Sequence, residues 1–144
     1  MKLFDEWGVE KKITDNRPVV VGVHDREIWW VALGVNVGVE MDGKHTTFER
    51  PSIVLRKFNT EMVWVLPVTS QQKNDSPFYS EFTIGDKKYF AVLTQLRTVS
   101  TRRFLRKIGM IPKGDFSKMQ ERIVGFVMSE RNPAQGGVSR RPKP

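Results

Sequence analysis

Residues 26–57 read REIWWVALGVNVGVEMDGKHTTFERPSIVLRK. Two apolar, strand-like runs, residues 28–33 and 52–55, flank a polar loop within that stretch. Gly34, Gly38 and Gly43 punctuate the loop, and Arg50-Pro51 closes it. A loop this long between hydrophobic strands is more often functional than idle. Pro51 biases Arg50 toward an extended backbone, so its side chain projects from the start of a strand. A fixed cation beside a polar loop suits a phosphate.

Working outward, the next runs keep to strand length. Residues 52–58 and 62–68 flank Asn59-Thr60-Glu61, which is hairpin spacing. Residues 69–77 form a polar loop. Residues 78–84 and 88–93 then flank Gly85-Asp86 as a second hairpin. Several short strands joined by hairpin turns argue for a small, mainly β barrel rather than an α/β fold. Residues 28–33 are nearly all apolar, as in a strand covered on both faces, and Trp29 and Trp30 must point to opposite sides of it. One of them belongs to the core; the other is a candidate stacking platform for a base.

The ends read differently. Leu3, Phe4, Trp7 and Ile13 recur at loose helical spacing, so residues 3–15 are expected to form a short amphipathic helix ending at Asn16-Arg17-Pro18. Residues 19–23 either add an edge strand or lead into the first strand. Ser100 is a candidate N-cap for a helix over 101–108, with Gly109 as its stop. Asp115 is a candidate cap for a helix reaching about residue 129, with Phe116, Met119, Ile123, Phe126 and Val127 along one face. That division gives an N-terminal extension at 1–25, a barrel with its C-terminal helix at 26–129, and a basic tail at 130–144. The tail lacks the apolar content to pack and is expected to be flexible.

Composition narrows the function. The chain of 144 residues has no cysteine, which excludes disulfides and thiol catalysis and leaves zinc only two histidines and carboxylates. No window approaches the roughly 20 apolar residues of a membrane span, and the N-terminus carries acids where a signal peptide needs an apolar run. A cytoplasmic protein is expected. The net charge is +8, and residues 87–113 hold eight Lys or Arg with no Asp or Glu. Such a localised excess is the footprint of a polyanion, and an acidic protein partner would use the same surface.

The 26–57 pattern is accompanied by Pro67-Val68-Thr69-Ser70, by Leu93-Thr94-Gln95-Leu96-Arg97, and by Arg103-Phe104-Leu105-Arg106-Lys107-Ile108-Gly109. In that order the blocks resemble the MazF/PemK toxins of bacterial toxin–antitoxin pairs, over about residues 27–127. The resemblance implies an SH3-like barrel with a C-terminal helix and a sequence-specific endoribonuclease toxin that works without a metal or other cofactor. It implies a homodimer held inactive by a cognate antitoxin, whose acidic segment would lie in the RNA groove. It also implies that Arg50 and Thr69 are catalytic. Gln95, Arg97, Arg102, Arg103, Arg106 and Lys107 would form the RNA surface or its scaffold. Ser70, Lys73 and Asn74, in or beside the loop after Thr69, are candidate RNA contacts.

The base is not assigned by the resemblance. Arginine is a poor base, since its pKa exceeds 12. Glu40 and His45 are the loop's candidate acid/base groups. Family members with a His directly after the Gly have Val39 at that place here. A branch using an Arg and an Asp around the Gln block has Val92 and Thr94 here. Without cleavage, the same barrel would serve as a toxin that poisons a topoisomerase by protein contact, or as an RNA-binding module.

Overall fold

The computed structural model describes residues 1–71 and 76–128. Helix α1 spans Phe4–Asp15. The strands are β1 Glu27–Ala32, β2 Glu49–Lys57, β3 Met62–Thr69, β4 Tyr79–Ile84, β5 Lys87–Val92, β6 Arg97–Ser100 and β7 Phe104–Met110, and helix α2 spans Lys113–Val127. All pairings are antiparallel.

Strand β3 organises the sheets. Its first half pairs with β6, its last two residues pair with β5, and β2 runs along its other edge. The path continues from β2 through β1 to β7. Strands buried on both faces split their side chains between two cores by the period of two. Ile53 and Leu55 of β2, with Leu66 and Val68 of β3, enter a core closed by Phe116 and Met119 of α2. Val54, Val63 and Val65 enter a second core with Val31, Val99 and Phe104. This is why the apolar runs lack clean alternation.

Two elements differ from the sequence expectation. Residues 101–108 are not a helix. Ser100 does cap, accepting a hydrogen bond from the Arg102 amide at 3.1 Å, but only over a 3-10 turn at Thr101–Arg103. The chain then extends as β7, and Gly109 stands opposite Ile28 in the ladder rather than at a helix end. The second edge of β1 must be paired, and that long-range demand overrides the local cap. Similarly, α2 begins after Pro112 without a side-chain cap, and Asp115 sits in its first turn, where a carboxylate meets the positive helix end.

Strand β6 and a 3-10 turn at Leu93–Gln95 were not legible in advance. Residues 19–23 form no strand; they lead into β1 and bury Val23 completely. Helix α1 forms as expected, yet only Trp7 and Thr14 of it are buried. Leu3, Phe4 and Ile13 stay about half exposed. The expected tail falls outside the described residues.

The two tryptophans part as the strand geometry requires. Trp29 leans on Phe104, and its indole N–H donates to Glu27 at 2.9 Å. Glu27, 2% exposed, is also bonded by Lys107 at 2.9 Å and by the His24 amide at 2.8 Å, tying β1 to β7. Trp30 faces the opposite side.

Candidate active site

Arg50 is the second residue of β2. Its Nε donates to the Asp42 carbonyl at 2.6 Å and its Nη1 to the Val68 carbonyl at 3.3 Å. Among the described residues Nη2 has no partner, and Arg50 makes no ion pair with Glu49 or Glu40. Continuing the Ser52–Pro67 register by two residues sets Arg50 against Thr69, the last residue of β3. Thr69 is 8% exposed, and its Oγ accepts from the Gln71 amide at 3.2 Å, which leaves the hydroxyl proton for another acceptor. Burial pulls the Arg50 pKa down, opposed by Asp42, but a guanidinium remains charged at any working pH.

Both side chains line one cavity of about 360 Å³ together with Trp30, Lys44, His45, Glu49, Ser70, Lys87 and Tyr89. They also line a smaller one of about 220 Å³ with Met41, Lys44, Gln71, Tyr79 and Val92. Strand β5 brings Lys87 and Tyr89 here because Thr69 pairs with Phe90. Trp30 carries the Arg106 guanidinium 4.9 Å above its ring. Arg106 in turn holds Glu49 at 2.7 Å, and Glu49 also accepts from the Thr47 hydroxyl at 2.7 Å.

The sequence candidates separate into two groups. His45 and Ser70 share the cavity with Arg50 and Thr69. Glu40 does not; its carboxylate accepts from the Val37 amide at 3.0 Å, closing its own turn. It lines a cleft of about 460 Å³ with Asn36, Gln95 and Arg97, which abuts the Arg50 site at Met41. There Gln95 accepts from the Met41 amide at 3.1 Å and donates to the Val39 carbonyl at 3.2 Å. Arg97 reaches the Leu33 carbonyl at 3.5 Å. Lys73 and Asn74 lie outside the described residues. Sequence reasoning missed Lys44, Lys87 and Tyr89. Lys87 opens the acid-free basic stretch, the one signal that pointed to it.

Glu49 and Glu27 are unsuited to be the base. Burial alone would raise each pKa. Hydrogen bonds from Arg106 and Thr47 to Glu49, and from Trp29, Lys107 and the His24 amide to Glu27, outweigh burial and hold both below 4.5. A carboxyl with a depressed folded pKa stabilises the fold above its unfolded pKa and loses that contribution as pH falls through the folded one. The melting temperature is expected to hold from neutral pH to about pH 5 and to drop below about pH 4.5. Glu27→Gln should lower it at neutral pH and flatten the acid limb. An acid limb identical in variant and wild type, measured by calorimetry, would rule out this origin.

The chain is thus a small antiparallel β domain with a basic, hydroxyl-bearing cavity at the shared end of β2 and β3. The profile of the PemK-like, MazF-like toxins of type II toxin–antitoxin systems matches residues 24–127, and the chain belongs to that family. Solved structures agree on the fold. MazF from Deinococcus radiodurans superposes with a TM-score of 0.63 at 18% identity, over 74% of this chain and 96% of that one. An endoribonuclease in complex with its cognate antitoxin, from a mycobacterial species, gives 0.59 at 9% identity over 77% and 100%. The Mycobacterium tuberculosis toxin MazF-mt6 gives 0.53 at 13% identity over 74% and 100%. A comparison with curated protein sequences finds no match. Among the described residues no helix is long and apolar enough to cross a membrane.

Proposed function

We propose that this toxin is a metal-independent, sequence-specific endoribonuclease acting on single-stranded RNA. The observation that carries the reading is the shared cavity of Arg50 and Thr69, with Lys44 and Lys87 at its walls. RNA supplies its own nucleophile, the 2′-hydroxyl. Its attack on phosphorus builds negative charge on the non-bridging oxygens. The free edge of the Arg50 guanidinium and the Thr69 hydroxyl proton would meet that charge as preorganised donors. The 2′-hydroxyl passes its proton to a base as its oxygen bonds to phosphorus, and the P–O5′ bond breaks with the 5′-oxygen taking up a proton. The products are a 2′,3′-cyclic phosphate and a 5′-hydroxyl. His45 lines the same cavity, and its imidazole nitrogens can donate or accept a proton there. Glu40 would have to move out of its cleft to take part.

Family membership and the likeness to an endoribonuclease seen with its antitoxin support this reading and a cognate antitoxin; a homodimer and a cytoplasmic location are part of the same proposal. Residues 26–129 would be the catalytic unit, with 1–25 an extension and 130–144 a basic tail that attracts RNA without specificity. The test is to incubate the purified protein with a long RNA in EDTA and map the ends. Discrete cuts with cyclic-phosphate ends support the proposal. Binding without cutting would make the chain an RNA-binding module, and topoisomerase inhibition without either would make it an interaction toxin.

A further inference from the structure

Helix α1 lies outside the family match, which starts at residue 24. Its contacts nevertheless converge on the loop between β1 and β2. At the loop's base, Trp7 packs edge-on against Phe48 with ring centroids 5.7 Å apart. Its indole covers Gly34, where φ is +84° and a Cβ would overlap the ring. At the loop's tip, the Lys2 ammonium donates to the Asn36 carbonyl at 2.6 Å and the Gly38 carbonyl at 3.2 Å, and pairs with the Asp42 carboxylate at 3.2 Å. That carboxylate also accepts from the Asn36 amide at 2.7 Å. The backbone carbonyl of the same Asp42 holds Arg50 Nε at 2.6 Å.

We infer that the N-terminal segment is a brace that positions Arg50, with Lys2 acting through Asp42 and Trp7 through Gly34 and Phe48 at the loop's base. A helix added for stability alone would bury its apolar side chains. This one leaves Leu3, Phe4, Val9 and Ile13 exposed while placing Trp7 and Lys2 on the loop that anchors the guanidinium. Lys2 adds an ammonium shared by three acceptors to residues 36–42, a stretch that Gln95 and Arg50 also hold from outside. The role in catalysis rests on the reading of Arg50 given above; the mechanical role does not.

The test therefore uses two readouts on the full chain. The first is solvent exchange of the Arg50 Nε–H by nuclear magnetic resonance, with the Arg26 Nε–H, bonded to the Ile111 carbonyl at 3.1 Å, as an internal reference. The second is kcat and KM on a short RNA carrying a mapped cleavage site. Lys2→Met should speed Arg50 exchange about tenfold and leave Arg26 unchanged. It should lower kcat about tenfold with KM within about twofold, since small misplacements of a catalytic group act on turnover. Lys2→Arg should restore both. Unchanged Arg50 exchange in Lys2→Met overturns the brace, whatever the kinetics. Faster exchange with an unchanged kcat overturns its catalytic role. If wild-type protein cuts no RNA, the nuclease proposal fails, and the exchange measurement still decides the brace.

Discussion

Arg50→Ala is expected to lower kcat for RNA cleavage by about a thousandfold, near the upper range for removing one preorganised donor from a charge-stabilising site. Two features set the size. The side chain is fixed at two of its three nitrogens by the Asp42 and Val68 carbonyls, so under the proposed mechanism the third would meet the phosphate without reorganisation. It is also half-buried, so its charge acts where water screens it poorly. Arg50→Lys should lose about a hundredfold, because an ammonium keeps the charge but cannot hold both carbonyls and still reach the substrate. Thr69→Val, which keeps the shape and removes the hydroxyl, should lose about tenfold to a hundredfold. Removing the guanidinium also takes a donor from the Asp42 and Val68 carbonyls, at about 1–3 kcal/mol of stability, so melting curves must accompany the kinetics. A folded Arg50→Ala protein that cuts at the wild-type rate would end the case for this site.

Much of the fold was legible because β1, β2 and β3 are apolar on both faces and separated by unmistakable turns. Strand β7 was not, because its sequence carries a genuine helix cap at Ser100 and no alternation to contradict it. What makes it a strand is the free edge of β1, which no local window contains, and the ladder between them accommodates register shifts on either side of Trp29 and Trp30. The site divides the same way. Arg50 and Thr69 came from a resemblance, and the β2–β3 pairing is what brings them to one cavity. Lys87 and Tyr89 arrive there through the β3–β5 pairing, about twenty residues away in the chain. Glu40 and His45 looked equivalent as loop residues. The loop's own hydrogen bonds separate them, since Glu40 closes a turn on Val37 while His45, at φ +69°, sits at the cavity wall.

The second large effect is expected from a residue that touches no substrate. Gly43 donates its amide to the Gly34 carbonyl at 2.8 Å, and next to it Lys44 and Glu49 exchange both backbone bonds at 2.8 Å. A Cβ at Gly43 would fall on the Phe48 carbonyl and crowd the Glu49 amide. All the offending atoms are backbone, and the Phe48 carbonyl already accepts from the Leu33 and Gly34 amides at 3.0 and 3.1 Å. No side chain can swing aside, so one strand of the loop must move. Whichever moves carries either Asp42, the anchor of Arg50, or Glu49 and Arg50 themselves. Gly43→Ala should therefore cost about 1–3 kcal/mol, as overpacking does, and about a hundredfold in kcat through the displaced guanidinium. Gly109→Ala, where a Cβ meets nothing within 4 Å, should change kcat little and serves as the control. Amide exchange at Lys44 and Glu49 should accelerate in Gly43→Ala while exchange in the core of β3 keeps its order. If Gly43→Ala retains slow exchange at both amides and full turnover, the loop does not hold Arg50 in the way its hydrogen bonds indicate.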